Sequence, residues 1–306
     1  MNPNDIERQR LFCFGYGYTA DYLGHELQNS DTSWTIGGTT RDEDRKNELL
    51  SRRVRARIYD EEHPLADPET LLNRLTHLLI SVPPNADGDP IFNQYAAEIS
   101  QLKNLKWLGY LSSTAVYGDR DGGTVSETSE ARPNSARGSK RYLAEKQWLS
   151  LYERYNIPVH IFRLTGIYGP GRSALDSVRA GMARRIEKPN HKFNRIQVED
   201  IVQSLRYSFE KPNPGAIYNL ADDVPAPSHE IIGHACDLLG QRKPPIIPYE
   251  EANLAPITLS FYNDNKHVSN NKIKTELGVQ LKYPDYKTGL QACLDAENFA
   301  TKEKNK

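Results

Sequence analysis

Short apolar runs alternate with amphipathic runs along the first half of the chain. The apolar runs have the length expected of buried strands, and each gives way to glycine, proline or polar residues. They cover Leu11–Phe14, Trp34–Arg41, Val54–Tyr59, Leu75–Val82 and Leu105–Leu111. Helical spacing is found between them, for example over Ile91–Leu102. This alternation predicts a doubly wound α/β domain of the Rossmann type, built on a parallel sheet.

The second half of the chain has a different pattern. From Pro225 onward prolines become frequent, a helix is predicted over His229–Leu239, and a closing helix is predicted to end at Gly278. We therefore expect a smaller C-terminal substrate lobe. The predicted organisation is a dinucleotide-binding domain over 1–165 and a mostly substrate-binding lobe over 166–306, with segments near 193–222 returning to the first domain.

Composition narrows the class of protein. The chain has 306 residues with 39 Lys+Arg and 40 Asp+Glu, and this near-neutral balance argues against nucleic acid as a partner. It contains no apolar run near the ~20 residues of a membrane span, and the segment Met1–Arg10 lacks the apolar core of a signal peptide. The cysteines Cys13, Cys236 and Cys293 lack metal-ligand spacing. We expect a cytoplasmic monomer or homodimer with reduced buried thiols, no bound metal and a small-molecule substrate.

The first strand runs into a glycine-rich turn. Gly15 and Gly17 are followed by Ala20, which is the alanine variant of the dinucleotide-binding fingerprint. Gly15 can adopt a conformation closed to other residues, Gly17 lets a pyrophosphate approach the backbone, and the helix N-terminus attracts the phosphates. The cofactor-binding residues predicted here are Gly15, Tyr16, Gly17, Tyr18, Thr19 and Ala20.

The end of the second strand favours NADP over NAD. Thr39, Thr40 and Arg41 stand where an NAD-binding domain would carry an acidic residue for the ribose. A guanidinium binds a 2′-phosphate with charge-assisted hydrogen bonds. The competing interpretation is a solvated arginine, and the acids that follow, Asp42 to Asp44, weaken the electrostatic argument, so NAD remains the alternative cofactor. At the ends of the third and fourth strands, Asp60, Val82 and Pro83 are further predicted cofactor contacts.

Three segments carry a family resemblance. They are Ser112–Asp119, with its Val-Tyr-Gly, Arg163–Gly171 and Phe193–Ile201. Together they resemble signatures of the extended short-chain dehydrogenase/reductase superfamily, of the nucleotide-sugar epimerase and dehydratase type. Within it, the chain is most similar to an atypical bacterial branch of NAD(P)-dependent epimerase/dehydratase-like proteins. The resemblance implies that Ser112, Gly166 and Ile167 contact the cofactor, that Ser113 is the strand-end serine of the reaction site, and that Tyr117 and Tyr168 flank the nicotinamide.

The family's catalytic tyrosine and lysine, four residues apart on one helix, are not found in the expected frame. Counted from Pro133 and Ser135, the two positions are occupied by Arg137 and Arg141. A Tyr-x-x-x-Lys pair exists at Tyr142 and Lys146, but five residues further on, about 140° around the helix. We favour the arginine frame, in which Arg141 can hold the ribose or a phosphate of the cofactor, and keep Tyr142 with Lys146 as the fallback pair. Because arginine does not donate a proton at neutral pH, another group, such as Tyr168 or Ser113, would have to do so.

The predicted substrate side is basic. Arg172 and Arg195 are the arginines we expect to meet an anionic group, although a solvated basic surface would show the same spacing. The predicted substrate-binding residues are Ser113, Thr114, Tyr117, Tyr168, Arg172 and Arg195. The leading interpretation is an NADP-dependent enzyme of epimerase, dehydratase or reductase type that acts on a small anionic or sugar-like substrate, such as a nucleotide sugar. The alternative is an NADP-binding sensor or regulatory protein with impaired catalysis. A hydrolase is disfavoured because the chain lacks a Gly-x-Ser-x-Gly elbow.

Overall fold

The computed structural model describes residues 9–30 and 33–304, so most of the polar N-terminal segment lies outside the described residues. Strands and helices alternate in the first part of the chain. They are β1 Arg10–Phe14, α1 Tyr18–Ser30, β2 Thr35–Thr40, α2 Glu43–Ser51, β3 Arg55–Ile58, α3 Pro68–Leu72, β4 His77–Ile80, α4 Pro90–Ser100 and β5 Trp107–Ser113. Each predicted strand of this part is present, with bounds that differ by at most two residues at either end. A 3₁₀ turn, Thr114–Tyr117, follows β5.

Most of the later strands are shorter than those of the first part, and the later helices vary more in length. They are β6 Thr124–Val125, α5 Ala136–Tyr155, β7 Val159–Leu164, β8 Gly166–Tyr168, α6 Ala174–Arg179, β9 Arg185–Glu187, β10 Arg195–Gln197, α7 Val198–Glu210, β11 Ile217–Leu220, α8 Ser228–Leu238, β12 Ile246–Pro248, α9 Pro256–Tyr262, β13 His267–Val268 and α10 Tyr286–Lys304. The predicted closing helix is corrected. The segment Ile273–Leu277 is a single π-helical turn that stops at Gly278, where φ is +79°, and the long terminal helix α10 follows it.

A seven-stranded sheet with the order β11-β7-β5-β4-β1-β2-β3 forms the centre of the fold. The ladders of β1 with β2 and β4, of β2 with β3 and of β4 with β5 are parallel. The strand order reverses between β1 and β4, so the carboxyl ends of these two strands open a crevice at a topological switch point, where such sheets bind ligands. The doubly wound Rossmann fold predicted from the alternation is confirmed.

The chain divides into two compact units. The first comprises 1–113, 136–163 and 202–218, and the second 114–135, 164–201 and 219–306. The proposed division near residue 165 stays a prediction. In the first unit, Phe14, Ile80, Tyr110, Trp148 and Ile161 are part of one buried apolar cluster.

The second unit has its own apolar cluster, which includes Leu175, Ile231, Cys236, Leu290 and Cys293. Its short strands pair in parallel, β8 with β10 and β9 with β12. The three cysteines of the chain are buried and free, as their spacing predicted. Within the described ranges, every helix is too short or too polar to cross a membrane.

Candidate functional site

The turn after β1 requires glycine at its first position. Gly15 has φ of +83°, and a Cβ there would lie 3.2 Å from the backbone nitrogen of Val82 at the end of β4. Two hydrogen bonds hold the turn against β2: Gly15 N donates to Thr39 Oγ1 (2.8 Å) and Tyr16 N donates to Thr39 O (2.7 Å). The carboxyl ends of the two strands at the switch point therefore approach each other at this turn.

The space beside Gly17 is open, whereas Gly15 is packed against Val82. A Cβ at Gly17 would meet no atom within 4 Å. The residue lies directly before α1, whose first turn presents the positive end of the helix dipole. Ala20 is fully buried, and the ring of Tyr16 is buried at 4% exposure against Gly24 and Gly38. Tyr16 can therefore serve a cofactor only through its backbone, and an anion has free access at Gly17.

The end of β2 presents one exposed arginine. Thr39, predicted as a cofactor contact, is 2% exposed and its hydroxyl accepts the Gly15 bond, so the structure assigns it to holding the turn. Arg41 is exposed, whereas Arg45 pairs with Asp21 at 3.1 Å and with Glu48 at 2.6 Å.

The acids that follow β2 are engaged with their own helix. Asp42 accepts a hydrogen bond from Arg45 N as the N-cap of α2, and Glu43 pairs with Lys46 at 3.0 Å. Thr40 Oγ1 accepts from Asp42 N at 3.3 Å. In the described part of the chain Arg41 has no ion-pair partner, and its guanidinium is the basic group left for a ligand at this strand end.

The other predicted contacts of this edge differ in what they can offer. Asp60 uses its carboxylate on its own loop, accepting bonds from Glu62 N, His63 N and His63 Nδ1 at 2.8–3.0 Å. The bond from His63 is the main reason why the pKa of Asp60 is lowered. Val82 is half-buried beside Gly15, and Pro83 is exposed at the edge.

A buried ion pair ties the end of β5 to α5 and β7. Arg163 Nη2 lies 2.7 Å from Glu145 Oε2, and its Nε donates to the same carboxylate at 3.0 and 3.2 Å. The two side chains are 4% and 2% exposed. Ser112, predicted as a cofactor contact, donates its hydroxyl to Glu145 at 2.5 Å and is buried. Its side chain therefore belongs to this network, and a ligand can reach only its backbone.

Helix α5 turns Arg141 toward the sheet. Arg141 Nη1 donates to Leu111 O at 2.7 Å and to Tyr110 Oη at 3.1 Å, and Arg137, one turn earlier, is exposed. The fallback pair points elsewhere: Lys146 Nζ lies over the ring of Tyr142, 4.3 Å from its centroid. Among the described residues, the Tyr142 hydroxyl makes no hydrogen bond to Ser113, the half-buried last residue of β5. These contacts favour the arginine frame, which stays a proposal.

The two tyrosines expected beside the nicotinamide are engaged in the second unit. Tyr117 is fully buried and donates to Asn219 Oδ1 at 2.7 Å. Tyr168 is 6% exposed, donates to Asp285 O at 3.3 Å, and has a pKa raised far above the usual range by burial. Both hydroxyls are therefore engaged within the second unit in this arrangement, and the role of Tyr168 as the proton donor stays a prediction. The buried Thr114 hydroxyl is close to Leu164 O, at 3.4 Å.

Arg172 and Arg195 share one cavity of about 420 Å³ within the second unit. The cavity lies among α6, α8 and α10, and Ile167 and Tyr168 also contribute to its wall. The sequence placed the two arginines on the substrate side, but only the structure shows that they face the same space.

Sequence reasoning missed Glu145 and Arg163. A signal was present, because an arginine inside the apolar strand β7 requires a buried acidic partner, and Glu145 lies one turn after Arg141 on α5. It also missed the cavity residues from α8 and α10, for which no local signal exists. In the described part of the chain, no three histidine, cysteine or acidic side chains are grouped so that they could hold a metal ion.

Comparisons with known proteins agree with this geometry. The family model described as "NAD dependent epimerase/dehydratase family" matches residues 92–221. A functionally unknown conserved protein from Silicibacter pomeroyi is 43% identical, with a TM-score of 0.85 over 94% of this chain and 99% of that one. Protein YeeZ of Escherichia coli K12 is 27% identical over 217 residues, which are 68% of this chain and 72% of YeeZ.

More distant structures share the fold. UDP-glucuronic acid 4-epimerase from Bacillus cereus, in complex with UDP-glucuronic acid and NAD, is 15% identical with a TM-score of 0.77 over 95% of this chain and all of that one. From the strand-end signatures, the glycine turn at the switch point and the family-model match, we conclude that the chain carries an NAD dependent epimerase/dehydratase domain over residues 92–221.

Proposed function

We propose that this protein binds NADP in its first unit and catalyses a redox reaction of epimerase, dehydratase or reductase type on a small anionic or sugar-like substrate. The observation that carries the proposal is the carboxyl edge around β1 and β2. There the open backbone of Gly17, the start of α1 and the exposed guanidinium of Arg41 offer one site for a pyrophosphate and a second for a 2′-phosphate.

The choice of NADP rests on charge at the end of β2. The UDP-glucuronic acid 4-epimerase structure named above contains NAD, whose ribose hydroxyls are usually bound by an acidic side chain at this position. This chain has Arg41 there, and the acids after it are occupied as the cap of α2 and in the pair with Lys46. An unpaired guanidinium forms charge-assisted hydrogen bonds with the 2′-phosphate of NADP, which are stronger than a hydrogen bond to the ribose hydroxyl of NAD.

The reaction centre that we propose lacks the family's tyrosine. NADPH, when bound, supplies a hydride to an electrophilic carbon. The Ser113 hydroxyl would hold the substrate oxygen, and the positive charge of Arg137 would stabilise the negative charge that develops on it. Arg141, fixed by Leu111 O and Tyr110 Oη, holds α5 at the strand end. The proton that completes the alcohol would come through Ser113 from water.

Arg137, in the position of the family's tyrosine, also favours a second function. If this substitution abolishes proton transfer, the protein is an NADP-binding sensor or regulatory protein. The two functions differ in turnover: NADPH fluorescence should decay when enzyme and a metabolite extract are mixed, and this decay should be lost in Ser113→Ala. Stable fluorescence with intact NADPH binding would support the sensor.

The cofactor is tested by titrating NADPH and NADH into the protein and following fluorescence. We expect tighter binding of NADPH, and Arg41→Ala should weaken it by about 1.5–3 kcal/mol while leaving NADH nearly unchanged. Lys103→Ala is the matched control, because it removes one exposed positive charge of the same unit before β5, at the opposite edge of the sheet. Equal affinity for both cofactors in the parent protein would refute the role of Arg41.

A further inference from the structure

The cavity of the second unit is lined by both charged and apolar side chains. The charged ones are Arg172, Arg195 and Asp176, and the apolar ones include Ile231, Ile232 and Leu290. Asp176 Oδ2 already accepts hydrogen bonds from Ser173 N and Ser173 Oγ. The cavity volume of about 420 Å³ is within the range of small-molecule sites and equals that of roughly 14 water molecules. Helix α8 also begins at this cavity, and its first turn has no side-chain cap. The shape therefore suits a compact molecule with a polar group and an apolar body.

Arg195 brings a half-buried charge that no ion pair among the described residues neutralises. Its recorded acceptors among the described residues are two backbone carbonyls, Phe193 O at 3.2 Å and Ala226 O at 3.4 Å, both bound by Nη1. No carboxylate of the described residues lies within salt-bridge distance of it. Burial lowers the pKa of Arg195 to about 10, so the group is still charged at neutral pH. A partly desolvated cation without a counter-charge is less stable than a paired one, and an anionic ligand would supply the missing counter-charge.

Asp222, the acidic group that acts most strongly on the pKa of Arg195, does not form an ion pair with it. Asp222 is 4% exposed, and neither carboxylate oxygen has a hydrogen-bond partner within the described ranges. Burial raises the pKa of Asp222 to about 8, against the opposing effect of Arg195. The charged or titratable groups that act on it besides Arg195 are Asp223, Asp285 and Tyr168. Near pH 7 the carboxyl is thus mainly neutral, and the positive charge of Arg195 stays uncompensated.

From this arrangement we propose that the cavity binds a compact organic oxyanion, with its charged group on Arg195 and its apolar body against Ile231, Ile232 and Leu290. Arg195 matches two oxygens of a carboxylate or phosphate with its planar fork, and Arg172 adds positive charge at the same wall. The inference rests on the proposed function, since it names the chemical class that the substrate lobe would hold. It predicts a molecule smaller than a nucleotide sugar.

The binding test uses the full chain without NADPH and isothermal titration calorimetry. Phenyl phosphate should bind about tenfold more tightly than inorganic phosphate, because the ring buries apolar area. Arg195→Met should weaken phenyl phosphate binding by about ten- to hundredfold. Arg195→Lys should have an affinity between those of the parent protein and Arg195→Met. Arg179→Met is the control: it removes a charge on α6 that pairs with Glu297 and should change the affinity less than about twofold. An equal loss in both variants, or none in Arg195→Met, would overturn the proposal.

Two further variants keep the test decisive if Arg195→Met does not fold. Ala174→Leu narrows the cavity and retains Arg195, so it should also weaken phenyl phosphate binding. Asp222→Asn tests the charge balance with benzoate, whose own charge is constant above pH 6. In the parent protein benzoate affinity should fall as pH rises through about 8, because ionised Asp222 then neutralises Arg195 and repels the ligand. Asp222→Asn should flatten this dependence, and a parallel fall in both proteins would count against the proposal.

The outcome is independent of cofactor binding. NADPH titration reads the first unit, where none of these substitutions lies. Loss of phenyl phosphate binding with normal NADPH affinity supports the cavity, and normal NADPH affinity without any oxyanion binding refutes the cavity alone.

Discussion

The buried pair of Glu145 and Arg163 offers the sharpest test of how the first unit is held together. The pair joins α5 to β7, with Nη2 to Oε2 at 2.7 Å and side chains 2% and 4% exposed. Arg163→Met removes one partner and leaves the Glu145 carboxylate in the core, where Ser112 is its remaining side-chain partner among the described residues. We expect this substitution to lower the free energy of unfolding of the first unit substantially.

The magnitude follows from burial. Removing one member of a buried ion pair costs about 3–5 kcal/mol, because the other charge stays without solvent and without a partner. Domains are stable by only about 5–15 kcal/mol, so the variant should be close to unfolding. Replacing both residues, in Glu145→Met with Arg163→Met, should recover most of the loss, because no charge then remains buried.

The surface pair of Glu26 and Arg206 is a matched control in the same unit. It also joins an arginine to a glutamate, at 2.6 Å, but its side chains are 46% and 31% exposed. Arg206→Met should cost no more than about 1 kcal/mol, the usual value of a solvent-exposed pair. The two distances are nearly equal, so the difference between the two variants isolates the effect of burial.

Urea unfolding followed by tryptophan fluorescence is the suitable assay. Trp34, Trp107 and Trp148 are the three tryptophans of the chain, and all three lie in the first unit, two of them fully buried. The signal therefore reports that unit and not the C-terminal one. The reasoning is refuted if Arg163→Met costs no more than Arg206→Met, or if the double variant shows the sum of its two single losses.

Three shorter predictions concern the cofactor edge. Gly17→Val should abolish NADPH binding in a fluorescence titration while changing the melting temperature little, because its side chain would enter space that is open in the protein. Arg141→Ala should weaken NADPH binding. Tyr142→Phe should leave both NADPH affinity and turnover unchanged. A 10²–10⁴-fold loss of turnover in Tyr142→Phe, roughly the scale of a lost acid/base, would instead identify Tyr142 and Lys146 as the catalytic pair. Tyr16→Phe should raise the free energy of unfolding by about 1 kcal/mol, because its buried hydroxyl has no hydrogen-bond partner among the described residues; a destabilised variant would contradict this.

The local sequence determined the sheet and the cofactor turn. Apolar runs such as Leu78–Ile80 predicted central strands, because a strand that is buried on both faces consists almost entirely of apolar residues. Gly15 was predictable because a positive φ is a property of one residue and its immediate neighbours. The terminal helix α10 was missed because its apolar face is narrow and most of its positions are polar.

Only the tertiary structure decided which polar side chains have partners and which face a ligand. The Tyr117 hydroxyl donates to Asn219, 102 residues away, and the Tyr168 hydroxyl donates to Asp285, 117 residues away. The sequence alone therefore could not show that these two hydroxyls are already hydrogen-bonded within the protein. In the sequence, nothing distinguishes Arg172 and Arg195 from Arg179. In the structure, Arg179 pairs with Glu297 on the surface. Whether an arginine is solvated, paired or buried at a cavity depends on contacts between distant segments, and periodicity carries no information about such contacts.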